Sequence, residues 1–198
     1  MALPHIITIL GSTRQGRVGG GVAAWFGAIA DARDDMTHEL VDLRDVDLPF
    51  FDASMPPAMG FQPENPTARA WANTISAGDG YVFVTPEYNH GYPAVLKNAI
   101  DHIYRPWHRK PAAFVGYGGP GAGVRAVEQL RQVVVEVEMV PLRHQVSIAR
   151  AYMALDDEGG PRDPWHADDA VRLLDDLVWW ARSLKEAREA DLAAMAPA

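Results

Sequence analysis

The sequence predicts an α/β fold: a doubly wound, five-stranded parallel sheet in the order 2-1-3-4-5, with helices on both faces. Short apolar runs rich in β-branched residues alternate five times with stretches of helical periodicity, the pattern of a sheet built from βαβ units. The chain has 198 residues, which suits one domain spanning 1–198 and one sheet of this size. Hydrophobic residues make up 48% and charged residues 22%, a balance that buries a core on each side of such a sheet.

The elements follow in order. HIITIL, His5 to Leu10, reads as the first strand, and Val18, Val22, Phe26 and Ile29 place a helix over about 18–32. HELVDL, His38 to Leu43, is the second strand. Residues 44–66 carry Pro49, Pro56, Pro57, Pro63 and Pro66 with no periodicity, a long loop of the kind that usually serves a function or a partner. A helix over 67–77 leads to the third strand, Tyr81 to Thr85, and the helix from Ala94 to Ile103 follows. Ala112 to Tyr117 is the fourth strand, and residues 124–138 form the next helix. Arg143 to Ala149 is the fifth strand, and a last helix covers 167–190, with Val171, Leu174, Val178 and Ala181 on one face. Trp71, Trp179 and Trp180 fall in helical patterns as core or subunit contacts, and Trp107 is expected at an interface or near a bound ring.

Composition excludes several functions. The chain has no cysteine, so disulfides, thiolate metal sites and thiol catalysis are ruled out. His102 and His108, six apart, do not share a helical face, so no catalytic metal is expected. The net charge of −8 disfavours nucleic acid and anionic membrane as partners. No apolar run is long enough to span a bilayer, and MALPHIITILGS lacks a basic leader, so a cytoplasmic protein is expected.

In a sheet of this order, ligands sit beyond the carboxyl ends of strands 1 and 3, where the order reverses. The loop after strand 1 is GSTRQGRVGGGVAAW. Its glycines can turn amides toward an anion at a helix N-terminus, Ser12 and Thr13 add hydroxyls, and Arg14 and Arg17 add forked donors suited to phosphate. Gly16 is followed by Arg17 and Val18 rather than Lys and Ser/Thr, which argues against a nucleoside triphosphatase. Gly116-x-Gly118-x-x-Gly121 follows a strand but comes too late for a dinucleotide domain. Two readings stay open: a mononucleotide phosphate held without metal, or a glycine-rich turn capped by Ser12.

The loop after strand 3 is crowded with stiff and planar residues. Pro86 fixes the backbone, Gly91 frees it, and Pro93 suits the first turn of the next helix. Between them Glu87, Tyr88, Asn89 and His90 form a shelf fit for the polar edge of a flat heterocycle. The facing loop, Gly116-Tyr117-Gly118-Gly119, leaves room for a ring close to its backbone. Phosphate at one end and a planar ring at the other describe flavin mononucleotide, FMN.

GSTRQGR, PEYNHGYPAVLKNAID, KPAAFVGYGGPGAGVRAVEQLR and the acidic last helix resemble the NAD(P)H-dependent FMN reductase family, which includes quinone, azo-dye and chromate reductases of flavodoxin-like fold. The resemblance implies that Ser12, Thr13, Arg14, Gly16, Arg17 and Gly19 hold the FMN phosphate, with Arg14 the firmer of the two arginines. It implies that Pro86, Glu87, Tyr88 and Asn89 border the ring, with Asn89 near N5. His90, in the same loop, reads equally as a substrate contact or as an exposed rim residue. Gly116, Tyr117, Gly118 and Gly119 approach from the other loop, and the Gly118 region is expected to offer backbone donors near N1. Relatives commonly have Ser where Gly116 stands.

The same resemblance implies hydride transfer from NAD(P)H to FMN and on to a small acceptor: free flavin, quinone, azo compound or metal oxyanion. No protein nucleophile is needed. It also implies a homodimer or homotetramer, with the proline-rich loop and residues 101–104 near the interface. The rival readings are a flavodoxin-type electron carrier and a flavin-binding module without turnover.

Overall fold

The computed structural model describes residues 2–60 and 62–195. It contains β1 (His5–Leu10), α1 (Gly19–Asp31), β2 (Thr37–Asp42), α2 (Leu43–Val46), α3 (Pro66–Ala77), β3 (Gly80–Pro86) and α4 (Ala94–Asp101). These are followed by β4 (Pro111–Tyr117), α5 (Val124–Glu136), β5 (Val140–Ile148), α6 (Ala151–Ala154) and α7 (Trp165–Met195). The sheet order is β2-β1-β3-β4-β5 and all pairings are parallel, so the predicted flavodoxin-like sheet is the observed one.

The register sets the site. Leu10 lies opposite Val84, and Thr85 opposite Gly116, so β1, β3 and β4 end at one level and their following loops converge. β3 and β4 are buried along their whole length, as expected of inner parallel strands. β5 begins three residues before the expected Arg143. Pro141 hides that start in the sequence, yet it is tolerated because β5 pairs only with β4 and stands at the sheet edge.

Two apolar layers flank the sheet. Phe26 of α1, with Leu173, Leu174 and Leu177 of α7, packs one face against Ile6, Val82 and Val115. The other face holds Trp71, Tyr81, Phe83, Leu96, Trp107 and Phe114. Trp107 therefore belongs to the core, neither to a surface interface nor to the ring site. It is fully buried, with its ring 5.0 Å from that of Tyr81 and 6.0 Å from that of Trp71, both near edge-on, and its indole N–H donates to Ile100 O. Trp179, by contrast, is exposed on α7.

The proline-rich stretch is pinned across α4. Asn98 accepts from Phe51 N (2.9 Å) and donates to Pro49 O (2.8 Å), and His102 Nε2 also meets Pro49 O at 2.8 Å.

Lys110 stands at the amino-terminal end of β4 and is buried. Its Nζ donates to Ile75 O, Ser76 O and the Tyr81 hydroxyl, at 3.0 to 3.1 Å, and to no carboxylate among the described residues. Burial, reinforced by Arg188, lowers its pKa from 10.5 to about 7. Between these values the unfolded chain carries one more proton than the folded one, so this group makes stability rise with pH. The penalty is full below pH ~7 and vanishes near the unfolded value. Lys110→Met should therefore gain most at pH ~7, and the gain should shrink by about 1.4 kcal/mol per pH unit toward pH ~10. Urea unfolding of both proteins at three pH values checks this; a gap independent of pH would contradict it.

Candidate active site

The loop after β1 is shaped by three arginines. Gly11 N donates to Val84 O (2.9 Å), carrying the ladder one residue past the strand. Beyond it, every carbonyl from Ser12 to Gly16 accepts from a guanidinium. Arg17 donates to Ser12 O, and Arg44 to Thr13 O (3.3 Å) and Arg14 O (3.0 Å). Arg14 curls back onto Gln15 O (3.1 Å) and Gly16 O (3.2 Å). With the carbonyls so engaged, the amides of Thr13, Arg14, Gln15 and Gly16 have no acceptor among the described residues. Gly16, at φ 64°, makes the turn. The first turn of α1 has neither a side-chain cap nor an acidic residue. A row of free amides at the start of an uncapped helix is an anion nest.

Arg17 is not available to a ligand in this arrangement. Its fork closes on Asp42 at the end of β2, with Nη1 2.8 Å from Oδ1 and Nη2 bonded to Oδ2, and its side chain is 10% exposed. Hydrogen bonding to Asp42 raises the Arg17 pKa. Burial pushes Asp42 upward, but its bonds to Arg17 and to Arg44 N outweigh this and leave it below its usual range. Arg14 is exposed and holds only its own loop.

Ser12 is fully buried, and its Oγ lies 2.8 Å from the Tyr88 hydroxyl, so it joins the loops after β1 and β3 instead of capping α1. Tyr117 leaves β4 with its hydroxyl buried and, among the described residues, without a hydrogen-bond partner. Burial raises that phenol above its ordinary pKa. A Cβ placed on Gly19 would stand 2.1 Å from this hydroxyl. An orphaned hydroxyl beside unpaired amides fits an acceptor-rich group such as phosphate.

Beyond β3, Glu87 N donates to Tyr117 O (3.0 Å). The Glu87 carboxylate turns inward, 7% exposed, to receive Arg125 Nε (2.6 Å) and Arg125 N (3.3 Å). It thus holds the shelf to the first turn of α5. Tyr88 and Gly91 exchange two backbone hydrogen bonds of 2.8 and 2.9 Å around Asn89 and His90, at φ 50° and 68°. This is a mirror-image turn with two non-glycine residues in the left-handed region, a strained conformation held by Gln129 donating to His90 O (2.9 Å). Both side chains are exposed above the crevice. Pro93 caps α4 from just outside its first turn.

The glycines of the facing loop differ. Gly116 lies beneath the loop, with Ala122 O 3.2 Å from any added Cβ, whereas Gly119 faces open space. The Gly118 amide, expected as a donor to a ligand, is bonded to Ile148 O (3.2 Å). Its carbonyl takes Ala151 N and that of Gly119 takes Arg150 N, both at 2.9 Å. The Gly119 amide has no acceptor among the described residues. The segment after β5 then reaches α1, where a Cβ on Gly21 would stand 2.6 Å from Gly159 Cα.

Sequence reasoning missed Asp42, Arg44 and Arg125. Each contributes through a partner more than 24 positions away, and no local spacing marks such pairs. Gly19→Ala should cost about 1–3 kcal/mol by overpacking against Tyr117, and Tyr117→Phe should recover part of that loss. Urea unfolding of the single and double variants measures both.

The sequence profile described as NADPH-dependent FMN reductase matches residues 4–152. An NAD(P)H-dependent FMN reductase of Schizosaccharomyces pombe is 43% identical over 131 residues, covering 66% of this chain and 65% of that protein. One from Saccharomyces cerevisiae is 33% identical over 186 residues, covering 88% of this chain and 97% of that one. Among solved structures, the flavoenzyme NAD(P)H:(acceptor) oxidoreductase FerB of Paracoccus denitrificans superposes with a TM-score of 0.70 at 24% identity, covering 91% of this chain and 98% of that one, and so shares the fold. On these matches, the chain belongs to the NADPH-dependent FMN reductase family.

Proposed function

We propose that this chain is an NAD(P)H-dependent flavin oxidoreductase that binds FMN in the crevice between β1, β3 and β4 and serves a small oxidised acceptor. The observation that carries the reading is the loop from Ser12 to Gly16, whose carbonyls are all taken by arginines while four amides stay unpaired among the described residues. Family membership supports the choice of FMN over other phosphorylated ligands.

The residues present fit that cofactor. The amides of Thr13 to Gly16 and the Tyr117 hydroxyl would hold the phosphate, and Arg14, folded onto its own loop, would both clamp the carbonyls of Gln15 and Gly16 and add charge beside the anion. Ser12 would position the Tyr88 hydroxyl. Arg17 acts at one remove, by holding Ser12 O against Asp42. Pro86, Glu87, Tyr88 and Asn89 would border the ring, and His90 would meet the acceptor at the rim. Open space at Gly119 leaves one ring face accessible, and the free Gly119 amide replaces Gly118 as the donor near N1. When bound, FMN supplies the redox chemistry, accepting hydride from a nicotinamide and reducing the acceptor. Glu87, clamped by Arg125, keeps the shelf and the glycine loop at fixed separation, so two flat substrates can use one opening in turn.

We read the chain as one domain with free flavin, quinone, azo compound or metal oxyanion as acceptor classes. We assign a homodimer or homotetramer whose interface includes Phe50, 84% exposed at the start of the proline-rich stretch; a monomer by light scattering would refute that assignment.

Three results are expected. Purified protein given FMN and a quinone should oxidise NADPH or NADH; turnover only when a redox protein is added would identify an electron carrier instead. Arg14→Ala should weaken FMN binding by about tenfold or more, read from quenching of flavin fluorescence, and unchanged affinity would contradict the phosphate assignment. Asp42→Asn should also weaken FMN binding, by about three- to tenfold, because Arg17 would lose its anchor; equal affinity would remove Asp42 from the site.

A further inference from the structure

A second cleft lies at the other end of the sheet. It has a volume of about 870 Å³ and is bounded by the loop before β4, the end of α3, the proline-rich stretch and the last turns of α7. Lys110 immediately precedes β4 and Ser76 lies near the end of α3, so this cleft faces the amino-terminal ends of the strands. A strand length of about 20 Å separates it from the flavin crevice.

Its charge runs against that of the protein. In a chain of net charge −8, the walls bring together Arg105, Arg109, Lys110 and Arg188 against the single carboxylate of Asp191. Asp191 is paired with Arg109, and Arg188 spans Arg109 O (2.8 Å) and Asp79 Oδ1 (2.7 Å). Asp79 in turn is shared with Lys185 (2.8 Å). Two cations are left over. Arg105 has no polar partner among the described residues, and its guanidinium lies beside Gly60, 3.4 Å from where a Cβ would stand. Lys110 is bonded to neutral oxygens alone. On the same wall His108 keeps a buried Nε2 without a partner among the described residues.

Burying a cation without a directly bonded counter-charge is costly, and among the described residues no carboxylate is hydrogen-bonded to Lys110; Asp79, already shared by Arg188 and Lys185, acts on it only through space. We propose that this cleft is a binding site for a small polyanion, a phosphate ester or a di- or tricarboxylate, bonded by the free guanidinium of Arg105 and attracted through space by Lys110, whose three N–H donors are already engaged. The volume is that of a small-molecule site. The site is independent of the flavin reading, because none of its residues belongs to the crevice at the carboxyl ends of the strands.

Inorganic pyrophosphate is the probe. Titrated into the full chain at low ionic strength and followed by calorimetry, it should bind saturably and raise Tm. Arg105→Gln, which disturbs no described hydrogen bond, should weaken this binding by about tenfold, and Lys110→Met should do the same. Arg14→Ala, at the opposite end, should leave one pyrophosphate bound with the wild-type affinity. Absence of binding up to about 10 mM would overturn the proposal. So would binding that survives Arg105→Gln and Lys110→Met but is lost in Arg14→Ala, since the anion would then sit in the loop after β1.

Discussion

The site depends on the pairing of Arg17 with Asp42. A backbone loop can present its amides only if its carbonyls are satisfied elsewhere. Arg17, held by Asp42 at the end of the neighbouring strand, takes the first carbonyl, and Arg44 and Arg14 take the next four. The loop is thus polarised before any ligand arrives. Preorganised amides avoid the reorganisation that a floppy loop would need on binding. The arginines nearest the nest therefore act chiefly as backbone clamps, and much of the positive field at its centre comes from peptide dipoles.

The sheet makes this polarisation useful. Because β1, β3 and β4 stop at one level, the nest, the strained turn at Asn89 and His90, and the glycine loop face one another across a single crevice. Two side-chain links tie these parts together: Ser12 to Tyr88, and Glu87 to Arg125. The first joins the two loops where the strand order reverses. The second fixes the shelf to the start of α5. Both lie within a few residues of strand ends, so their positions are set by the most deeply buried part of the molecule.

Much of this was legible in the sequence. The strand and helix order could be read because inner parallel strands are apolar throughout and the helices keep a clean period. The glycine and proline loops marked the crevice. The pairings that give each loop its shape were not legible. Arg14 reads as the firmer phosphate ligand and Arg17 as the second, and only the fold shows that Arg17 faces a carboxylate 25 positions away. Tyr117 read as part of the ring loop, but its side chain reaches the first turn of α1 instead. The Gly118 amide read as free because the contact that occupies it comes from the end of β5, whose register no local pattern reveals. Trp107 read as an interface or ring-site aromatic because it follows a helix and sits among charges, yet it packs fully buried in the core under the sheet.

The stretch between β5 and α7 has a mechanical consequence. At its start, Arg150 and Ala151 hold the carbonyls of the glycine loop; near its end, Gly159 rests backbone to backbone on Gly21 in the opening turns of α1. One short run of chain thus touches supports of both extremities of the crevice. Contact that close leaves no slack, so a shift of α1 when the nest is filled would be transmitted along residues 150–160 to the rim beside Gly119, a lever through which occupancy at one extremity can set the width of the other.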